Sequence, residues 1–398
     1  MVHKSEKWIT DIDGVYSSAL HAGFKAKALD LAYIYVPNAV ASAGVFTKNQ
    51  CASETICHTQ KIMKRNTLKA LIVNAGNANT GTGKSGKQAV KETVRLTAEK
   101  LGLKQAEVGV ASTGIIGVPL PLDIMKAGLN RLLQQPLKKE GQLIADAILT
   151  TDTCTKTVFL EQKIGKKNIQ VAGICKGSGM IAPNMATMLA YLVTNVHMNN
   201  QQLQSYLKIA VDTSFNCITV DSDTSTSDMV VAFATGERQI RMQDSAQCVA
   251  FQSLLSQACQ SLATQIVKDG EGVTKLIELT VSGAVTQKDA KCVAMTVLNS
   301  PLVKTAIHGA DPNWGRLMMA IGKTPDIKLN RNKIGIAIGS YWLVKNGEPT
   351  SFDLKMVQQA LMGDEVKLAI DLGLGNAKVR AWGCDLSKRY IDINVDYN

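Results

Sequence analysis

Residues 176–190 read KGSGMIAPNMATMLA, a glycine-rich stretch that brings a threonine, Thr187, to the start of an apolar run. Its two glycines, Gly177 and Gly179, allow backbone conformations that other residues avoid. The apolar run that follows, residues 188–193, has the length and composition of a buried strand. The stretch therefore predicts an irregular turn that leads into a core strand, with Thr187 held at its beginning.

Thr187 becomes a strong nucleophile if the peptide bond before it breaks. A threonine hydroxyl within an intact chain needs a neighbouring base, whereas a terminal threonine carries its own α-amine, with a reference pKa of about 7.7 to 8.0. The break requires that the Thr187 hydroxyl attack the carbonyl of Ala186, a small residue, and form an ester that water hydrolyses. Because glycine-rich loops before buried strands are common, the stretch alone leaves an ordinary loop open.

Further blocks occur along the chain at residues 74–79, 112–117, 150–153, 221–228, 269–272, 304–306 and 309–316. They read NAGNAN, STGIIG, TTDT, DSDTSTSD, DGEG, KTA and GADPNWGR. Together with residues 176–190, and in this order, they resemble the ornithine acetyltransferases, also called glutamate N-acetyltransferases, of arginine biosynthesis. Each block alone is weak, but their order and spacing over nearly the whole chain are specific.

The resemblance implies a mixed α+β fold in which helices pack outside paired β-sheets. It also implies self-cleavage between Ala186 and Thr187 into an α fragment, residues 1–186, and a β fragment, residues 187–398. The two fragments are expected to stay associated, as a heterotetramer of two α and two β fragments.

The resemblance also assigns the site residues. Thr187 is the nucleophile, and Thr113 and Gly114 form the oxyanion hole, where a hydroxyl and a backbone amide stabilise the negative charge on the attacked carbonyl. The implied substrate-binding residues are Thr153, Lys176, Thr187, Glu271, Asn394 and Asn398. By charge, Lys176 suits the carboxylate of an amino acid and Glu271 suits an ammonium group.

The implied reaction is a ping-pong acetyl transfer in arginine biosynthesis. Thr187 attacks the acetyl group of N-acetylornithine, ornithine leaves an acetyl-threonine ester, and glutamate then takes the acetyl group. The reaction needs no metal and no bound cofactor, and some relatives also accept acetyl-CoA as a co-substrate that acetylates glutamate. With water as the acceptor, the chain would instead be an N-terminal-threonine amidase or aminopeptidase, an alternative that the sequence leaves open.

Residues 78–85, ANTGTGKS, indicate a further alternative. They match a relaxed phosphate-loop pattern between an apolar strand and a helix, a context in which backbone amides and Lys84 would bind phosphates. However, alanine replaces the first glycine of the pattern, and no apolar strand ends in a clear magnesium-binding aspartate. A P-loop-like nucleotide-binding protein is therefore the less favoured hypothesis.

The composition is typical of a globular protein, since 45% of the 398 residues are hydrophobic and 19% are charged. No apolar run is long enough to cross a membrane, and no secretory signal precedes residue 13, so we expect a cytoplasmic protein. The formal net charge is +11, but the basic residues are dispersed and no nucleic-acid-binding motif accompanies them. We expect neither a nucleic-acid nor a membrane partner.

Hydrophobic periodicity predicts helices and strands that alternate along the chain. Helices are predicted at 84–101, 122–133, 200–213, 245–268 and 353–362. Strands are predicted at 68–73, 108–112, 188–193, 229–234, 276–282, 333–338 and 366–372. Because no linker or repeat divides the chain, the one predicted division is chemical, between residues 186 and 187.

Overall fold

The computed structural model of the protein describes residues 7–134, 137–164, 167–182, 188–238 and 244–395. Its helices are α1 (Glu54–Met63), α2 (Gly83–Leu101), α3 (Leu122–Leu132), α4 (Gly141–Ala147), α5 (Asn200–Asp212), α6 (Ser245–Lys268), α7 (Gln287–Leu298), α8 (Pro301–His308), α9 (Trp314–Gly322), α10 (Leu354–Met362) and α11 (Lys388–Val395). Its strands are β1 (Tyr16–Leu20), β2 (Leu31–Tyr35), β3 (Ala41–Phe46), β4 (Ala70–Asn77), β5 (Val108–Ile115), β6 (Lys156–Ile164), β7 (Lys167–Lys176), β8 (Leu189–Val196), β9 (Met229–Arg238), β10 (Leu276–Ala284), β11 (Gly335–Ile338), β12 (Tyr341–Lys345), β13 (Glu348–Pro349), β14 (Glu365–Asp371) and β15 (Ala377–Cys384).

The chain packs into two compact units. The first contains residues 1–177, 183–216 and 223–262, and the second contains residues 178–182, 217–222 and 263–398. These are units of packing, whereas the predicted fragments 1–186 and 187–398 concern the covalent chain. The division into fragments therefore stays a prediction.

The first unit contains two β-sheets that face each other. One sheet has the strand order β1-β2-β4-β5 and the other has the order β3-β9-β8-β7-β6. The pairs β4-β5 and β8-β9 are parallel, and the other pairs in these sheets are antiparallel. Ile34 and Val73 from the first sheet share one apolar core with Tyr191 and Phe233 from the second. Burial of this core between the sheets provides the main stabilisation of the unit.

Helices cover the outer faces of both sheets. Because side chains of a strand alternate between faces, Tyr33 of β2 points away from the inner core and packs with Val94 of α2 and Leu129 of α3. On the other sheet, the Gln204 side chain of α5 accepts a hydrogen bond from the Gly44 amide of β3 and donates one to its carbonyl, both at 3.0 Å. The predicted arrangement of helices outside paired sheets is confirmed.

One row of residues aligns the ends of four strands in the five-stranded sheet. Phe46 of β3 is opposite Met229 of β9, Met229 is opposite Leu189 of β8, and Leu189 is opposite Lys176 of β7. The first residues of β8 and β9 therefore lie beside the last residues of β3 and β7. This row positions the side chains of the candidate site.

The second unit contains a six-stranded sheet with the order β13-β12-β11-β14-β10-β15. The pair β10-β14 is parallel, and the other pairs are antiparallel. Helix α7 packs against β10 and β15. At this contact a Cβ added to Gly383 of β15 would lie 3.0 Å from the Leu298 side chain, so the small residue allows close approach of the helix.

The predicted elements are present in the structure. Each predicted helix is found with its ends within one residue of the prediction, and each predicted strand with its ends within four residues. Strand β4 differs most, because it starts at Ala70 and continues to Asn77 through the polar block that the sequence analysis placed after the strand. The strand thus carries that block directly beside β5.

Candidate active site

Thr113 and Gly114, the predicted oxyanion pair, lie at the end of β5, where the parallel pairing with β4 becomes irregular. Gly114 is opposite Gly76, but Asn77 is then opposite both Thr113 and Ile115. Gly114 has a φ of 129°, and a Cβ added to it would lie 2.3 Å from the carbonyl carbon of Gly76. Because a side chain has neither the conformation nor the space it needs, this backbone requires glycine.

Buried side chains support this irregular strand end. Ser112 Oγ donates a hydrogen bond of 2.6 Å to Asn74 Oδ1, and Asn74 Nδ2 donates one of 2.9 Å to the Asn77 carbonyl. Asn77 Nδ2 in turn donates a bond of 3.0 Å to the Val118 carbonyl. Since Asn74, Asn77 and Ser112 are all buried, water does not compete for these bonds. They fix the backbone that presents the oxyanion pair.

The predicted substrate-binding residue Lys176 reaches the oxyanion pair. Its Nζ donates a hydrogen bond of 3.3 Å to Thr113 Oγ1, and only 8% of the lysine is exposed. Lys176 is the last residue of β7 and lies opposite Leu189, so strand pairing fixes the origin of its side chain. A buried ammonium beside a hydroxyl and a backbone amide can stabilise an anion at this end of the sheets.

Asp152 is a buried carboxylate that the sequence analysis did not single out. Its Oδ1 accepts hydrogen bonds of 2.6 Å from Lys156 Nζ and from the Gly177 amide, and its Oδ2 accepts one of 3.0 Å from the Thr150 amide. Burial would raise the pKa of Asp152, but the Lys176 and Lys156 ammonium groups and these bonds lower it to about 2. The ionised carboxylate therefore holds the turn that follows Lys176. The TTDT block was the available signal.

Lys25 is a second functional candidate without a sequence signal, because it lies in a loop outside the blocks of the family. Burial lowers the pKa of its amine to about 8, Asp30 opposes that shift, and the Lys176 ammonium adds to it. Its Nζ donates hydrogen bonds of 2.9 Å to the Leu29 carbonyl and 3.0 Å to the Ala147 carbonyl. The amine therefore gives up its proton around pH 8, well below the usual range of a lysine.

Three predicted residues, Ala186, Thr187 and Asn398, lie outside the described residues. The residue after the predicted nucleophile, Met188, is described and buried, and its carbonyl accepts a 2.9 Å hydrogen bond from the Met229 amide of β9. Thr153 is exposed, next in sequence to the buried Asp152 carboxylate. Of the predicted site residues in the first unit, the structure brings Thr113, Gly114 and Lys176 together.

Glu271 and Asn394 are brought together in the second unit. Asn394 Nδ2 of α11 donates a hydrogen bond of 2.8 Å to Glu271 Oε2, and Glu271 is 8% exposed. The Glu271 amide donates a bond of 3.3 Å to the Ser178 carbonyl. A Cβ added to Gly179 would lie 2.3 Å from the Glu271 carboxylate, so the carboxylate lies directly over this glycine. Two separately predicted residues are therefore in contact, and the space for the carboxylate depends on Gly179 of the first sequence block.

Among the residues that the structure describes, no group of three or more His, Cys, Asp or Glu side chains is arranged to hold a metal ion.

Comparison with known proteins identifies a family that matches this chain. A profile of the ArgJ family matches residues 16–398. The chain belongs to the ArgJ family. It is 43% identical over 379 residues to the arginine biosynthesis bifunctional protein ArgJ of Bacillus thuringiensis subsp. konkukian (strain 97-27), covering 94% of this chain and 92% of the relative. It is 41% identical over 386 residues to the protein of the same name from Lactococcus lactis subsp. lactis (strain IL1403), covering 96% of each.

Solved structures include similar chains. The crystal structure of arginine biosynthesis bifunctional protein ArgJ from Bacillus halodurans is 42% identical, has a TM-score of 0.51, and covers 52% of this chain and 99% of its own. The ornithine acetyltransferase of Mycobacterium tuberculosis, solved with ornithine, is 36% identical, has a TM-score of 0.43, and covers 45% of this chain and 96% of its own.

Membership of the ArgJ family confirms the resemblance predicted from the sequence blocks. It also confirms the predicted class of enzyme, an acetyltransferase of arginine biosynthesis, and the mixed α and β fold. The positions assigned to individual residues rest on the geometry above and stay predictions.

In this ArgJ family member, the loop before α2 does not form a phosphate cradle. The buried Asn79 side chain occupies the turn, where its Nδ2 donates a 3.2 Å hydrogen bond to the Gly86 carbonyl and its Oδ1 accepts one of 2.8 Å from Thr82 Oγ1. Lys84 is exposed at the start of the helix. Because the Asn79 carboxamide holds the turn and the Lys84 side chain is exposed, the geometry disfavours the nucleotide-binding alternative.

Proposed function

We propose that this chain transfers the acetyl group of N-acetylornithine to glutamate through an acetyl ester on Thr187, after the chain cleaves itself between Ala186 and Thr187. The observation that carries the proposal is the bulged end of β5, where the Thr113 hydroxyl and the Gly114 amide lie beside the buried Lys176 ammonium. Donors held in this way can stabilise an oxyanion without reorganisation during the reaction. The names of the curated relatives, bifunctional proteins of arginine biosynthesis, support it.

The chemistry runs in two balanced halves. The Thr187 hydroxyl gives its proton to the Thr187 α-amine and attacks the acetyl carbon of N-acetylornithine. The amide C–N bond breaks, the ornithine nitrogen takes the proton, and the acetyl group remains on Thr187 as an ester. The amine of glutamate then attacks the ester carbon, its proton returns to the threonine oxygen, and N-acetylglutamate leaves. In each half, Thr113 and Gly114 would stabilise the negative charge on the carbonyl oxygen.

The charges of the described residues support the substrate class. Lys176 would bind a carboxylate of the amino-acid substrates, and Glu271 with Asn394 would bind an ammonium group. Thr153 and Asn398 complete the proposed contacts. Neither a metal nor a bound cofactor takes part, and acetyl-CoA would serve as a second acetyl donor for glutamate.

Cleavage into two associated fragments belongs to the same proposal. The matched chain of the Bacillus halodurans crystal structure is covered over 99% of its length but accounts for only 52% of this chain, which is expected if that relative consists of two polypeptides. We propose the same for this chain, with two α and two β fragments in the assembly and a cytoplasmic location. Among the described residues, none of the helices has both the length and the apolar character needed to span a lipid bilayer.

The deciding experiment is the intact mass of the purified parent chain beside its Thr187→Ala and Thr187→Ser variants. The proposal requires fragments that meet between Ala186 and Thr187 in the parent and in the serine variant, which keeps a hydroxyl, and one full-length chain in the alanine variant. A single full-length species in all three proteins contradicts self-cleavage.

Product analysis separates transfer from hydrolysis. With N-acetylornithine as the donor, the proposed transferase forms N-acetylglutamate only when glutamate is present. An amidase would release acetate at the same rate with or without glutamate. Acetate release that glutamate does not suppress would therefore favour the alternative.

A further inference from the structure

Asp228 is a buried acid that the proposed reaction does not yet use. It ends the DSDTSTSD block, directly precedes β9, and is only 2% exposed. Its Oδ2 has no hydrogen-bond partner among the described residues. Burial raises the pKa of Asp228 well above its usual range, although the Ser225 side chain, the Lys176 ammonium, the Thr47 side chain and the Met188 amide all oppose the rise. Burial therefore favours the protonated form of this carboxyl.

Strand pairing places Asp228 beside the start of β8. Leu189 and Met229 are paired in the parallel ladder, so the residues that precede them, Met188 and Asp228, are also neighbours. The hydrogen bond of the Met188 amide is one of the influences on the Asp228 carboxyl. On the other side, the Thr47 amide donates a 3.0 Å bond to the Asp228 carbonyl, which fixes the backbone of the acid between β3 and β8.

Covalent geometry connects this acid with the predicted cleavage site. The nitrogen of Thr187 is three bonds from the nitrogen of Met188, so the two atoms are at most about 4.3 Å apart, the sum of those bond lengths. A group that interacts with the Met188 amide therefore acts within one residue of the nitrogen that becomes the new chain terminus. Two other buried carboxylates of the first unit, Asp152 and Asp30, each already accept three hydrogen bonds.

We propose that Asp228 is the proton donor to the Thr187 nitrogen when the Ala186–Thr187 peptide bond breaks, an inference that rests on the proposed self-cleavage. In this step the Thr187 oxygen forms a bond to the Ala186 carbonyl carbon, and the bond between that carbon and the Thr187 nitrogen breaks. The nitrogen takes a proton from the Asp228 carboxyl. The carboxylate left behind takes the proton that the threonine hydroxyl gives up, so Asp228 returns to its starting form. Water then hydrolyses the ester.

A neutral acid suits this step because the departing nitrogen of an amide is strongly basic and must be protonated as it leaves. A carboxylate could accept the hydroxyl proton but would have none to give. The orphaned Oδ2 matters here, since a buried polar atom without a partner destabilises the fold unless another group completes its bonding. In the proposed step, the departing Thr187 nitrogen would complete the bonding of Oδ2.

The test compares the cleavage rates of the parent chain, Asp228→Asn and Asp223→Asn after a pulse of synthesis, with fragments measured by intact mass. Asp223→Asn is the matched control, because Asp223 belongs to the same block but is exposed. We expect Asp228→Asn to slow cleavage by about a hundredfold or more, as the loss of a general acid typically does, while Asp223→Asn cleaves at the parent rate. Thermal melting of each purified protein establishes that the variants are folded.

Each outcome is decisive. A folded Asp228→Asn chain that cleaves at the parent rate overturns the inference and leaves the proposed self-cleavage intact, whereas a parent chain that stays whole overturns the self-cleavage itself. If Asp228→Asn does not fold, Asp228→Ala is assayed with and without formate, a small acid that fits the space of the missing carboxyl. Faster cleavage with formate supports the proton donor, and an unchanged rate counts against it.

Discussion

Lys176 Nζ lies 3.3 Å from Thr113 Oγ1, and this hydrogen bond joins the last residue of β7 to the irregular end of β5. It connects the five-stranded sheet with the four-stranded sheet of the same unit. Lys176 therefore contacts the proposed oxyanion pair and is also the residue that we propose binds an anionic group of the substrate.

Replacing Lys176 with methionine removes the ammonium but keeps an unbranched apolar side chain. We expect kcat/KM for N-acetylornithine to fall by about tenfold to a hundredfold, because a hydrogen bond to a charged group contributes about 1.5 to 3 kcal/mol. Steady-state kinetics of the cleaved enzyme would measure the loss. Lys84→Met, on the exposed start of α2, is the matched control and should keep the parent value. Equal losses in both variants would remove the assigned role.

Gly114→Ala should disrupt the oxyanion pair through the backbone. An added Cβ would lie 2.3 Å from the Gly76 carbonyl carbon, and the φ of 129° disfavours a side chain as well. We expect a lower melting temperature and a fall in kcat of at least about a hundredfold, as for loss of an oxyanion donor. Gly117→Ala is the control: its φ is 84°, but nothing lies within 4 Å of an added Cβ. If the two variants behave alike, the crowding at Gly114 has no special role.

The stability of the protein should fall at acidic pH because of Asp152. Its pKa in the folded chain, about 2, is lower than its usual value of 3.8. The contribution of the ionised carboxylate is therefore complete above about pH 4 and disappears as the pH falls through about 2. Chemical denaturation at pH 7, 4 and 3 would follow it. A free energy of unfolding that stays constant over this range contradicts the assignment.

Asp152→Asn should destabilise the chain even at neutral pH. The variant leaves the fully buried Lys156 ammonium without its carboxylate, and breaking a buried pair from one side typically removes about 3 to 5 kcal/mol. Adding Lys156→Met to this variant should restore part of the free energy of unfolding, because the fully buried ammonium of Lys156 is then absent as well. Denaturant titration of the single and double variants would measure the recovery, and a double variant no more stable than the single one would refute the pairing.

Asn394→Ala should weaken substrate binding rather than the chemical step. The 2.8 Å bond from Asn394 Nδ2 orients the Glu271 carboxylate, which we propose binds a substrate ammonium. We expect a several-fold higher KM with a nearly unchanged kcat, measured with both ornithine and glutamate substrates. Asp392→Ala, an exposed change on the same helix, serves as the control. A fall in kcat at constant KM would mean that this pair acts on the chemistry instead.

Local sequence patterns predicted much of the secondary structure but little of the site's electrostatics. Helix α6 and the core strands could be predicted because apolar residues recur at a regular spacing, which depends on neighbours in sequence. The hairpin of β6 and β7 was missed, since its exposed half alternates with charged residues and lacks a continuous apolar run. Thr113, Gly114 and Lys176 were predicted as site residues from the sequence blocks that resemble the family.

Asp152 and Asp228 could not be recognised in the same way. Their surroundings come from strands that are distant in sequence: Asp152 is bonded to the Gly177 amide, and Asp228 faces Thr47 and Met188. Whether a carboxyl is ionised or neutral depends on such contacts and on burial, and neither is encoded by the residue's own segment. Both acids lie within the sequence blocks, but only their three-dimensional surroundings shift their pKa values in opposite directions.

The strand order of the five-stranded sheet has a consequence for a chain cut after Ala186. Strands β3, β6 and β7 would belong to one piece and β8 and β9 to the other, yet the order is β3-β9-β8-β7-β6. Strands β8 and β9 of the second piece would lie between β3 and β7 of the first piece. Backbone hydrogen bonds would join the two pieces on both sides, between β3 and β9 and between β7 and β8. Separation of the two pieces would break both sets of hydrogen bonds and expose the core that the pieces share. Dissociation would therefore require unfolding, and cleaved molecules would not exchange fragments with one another.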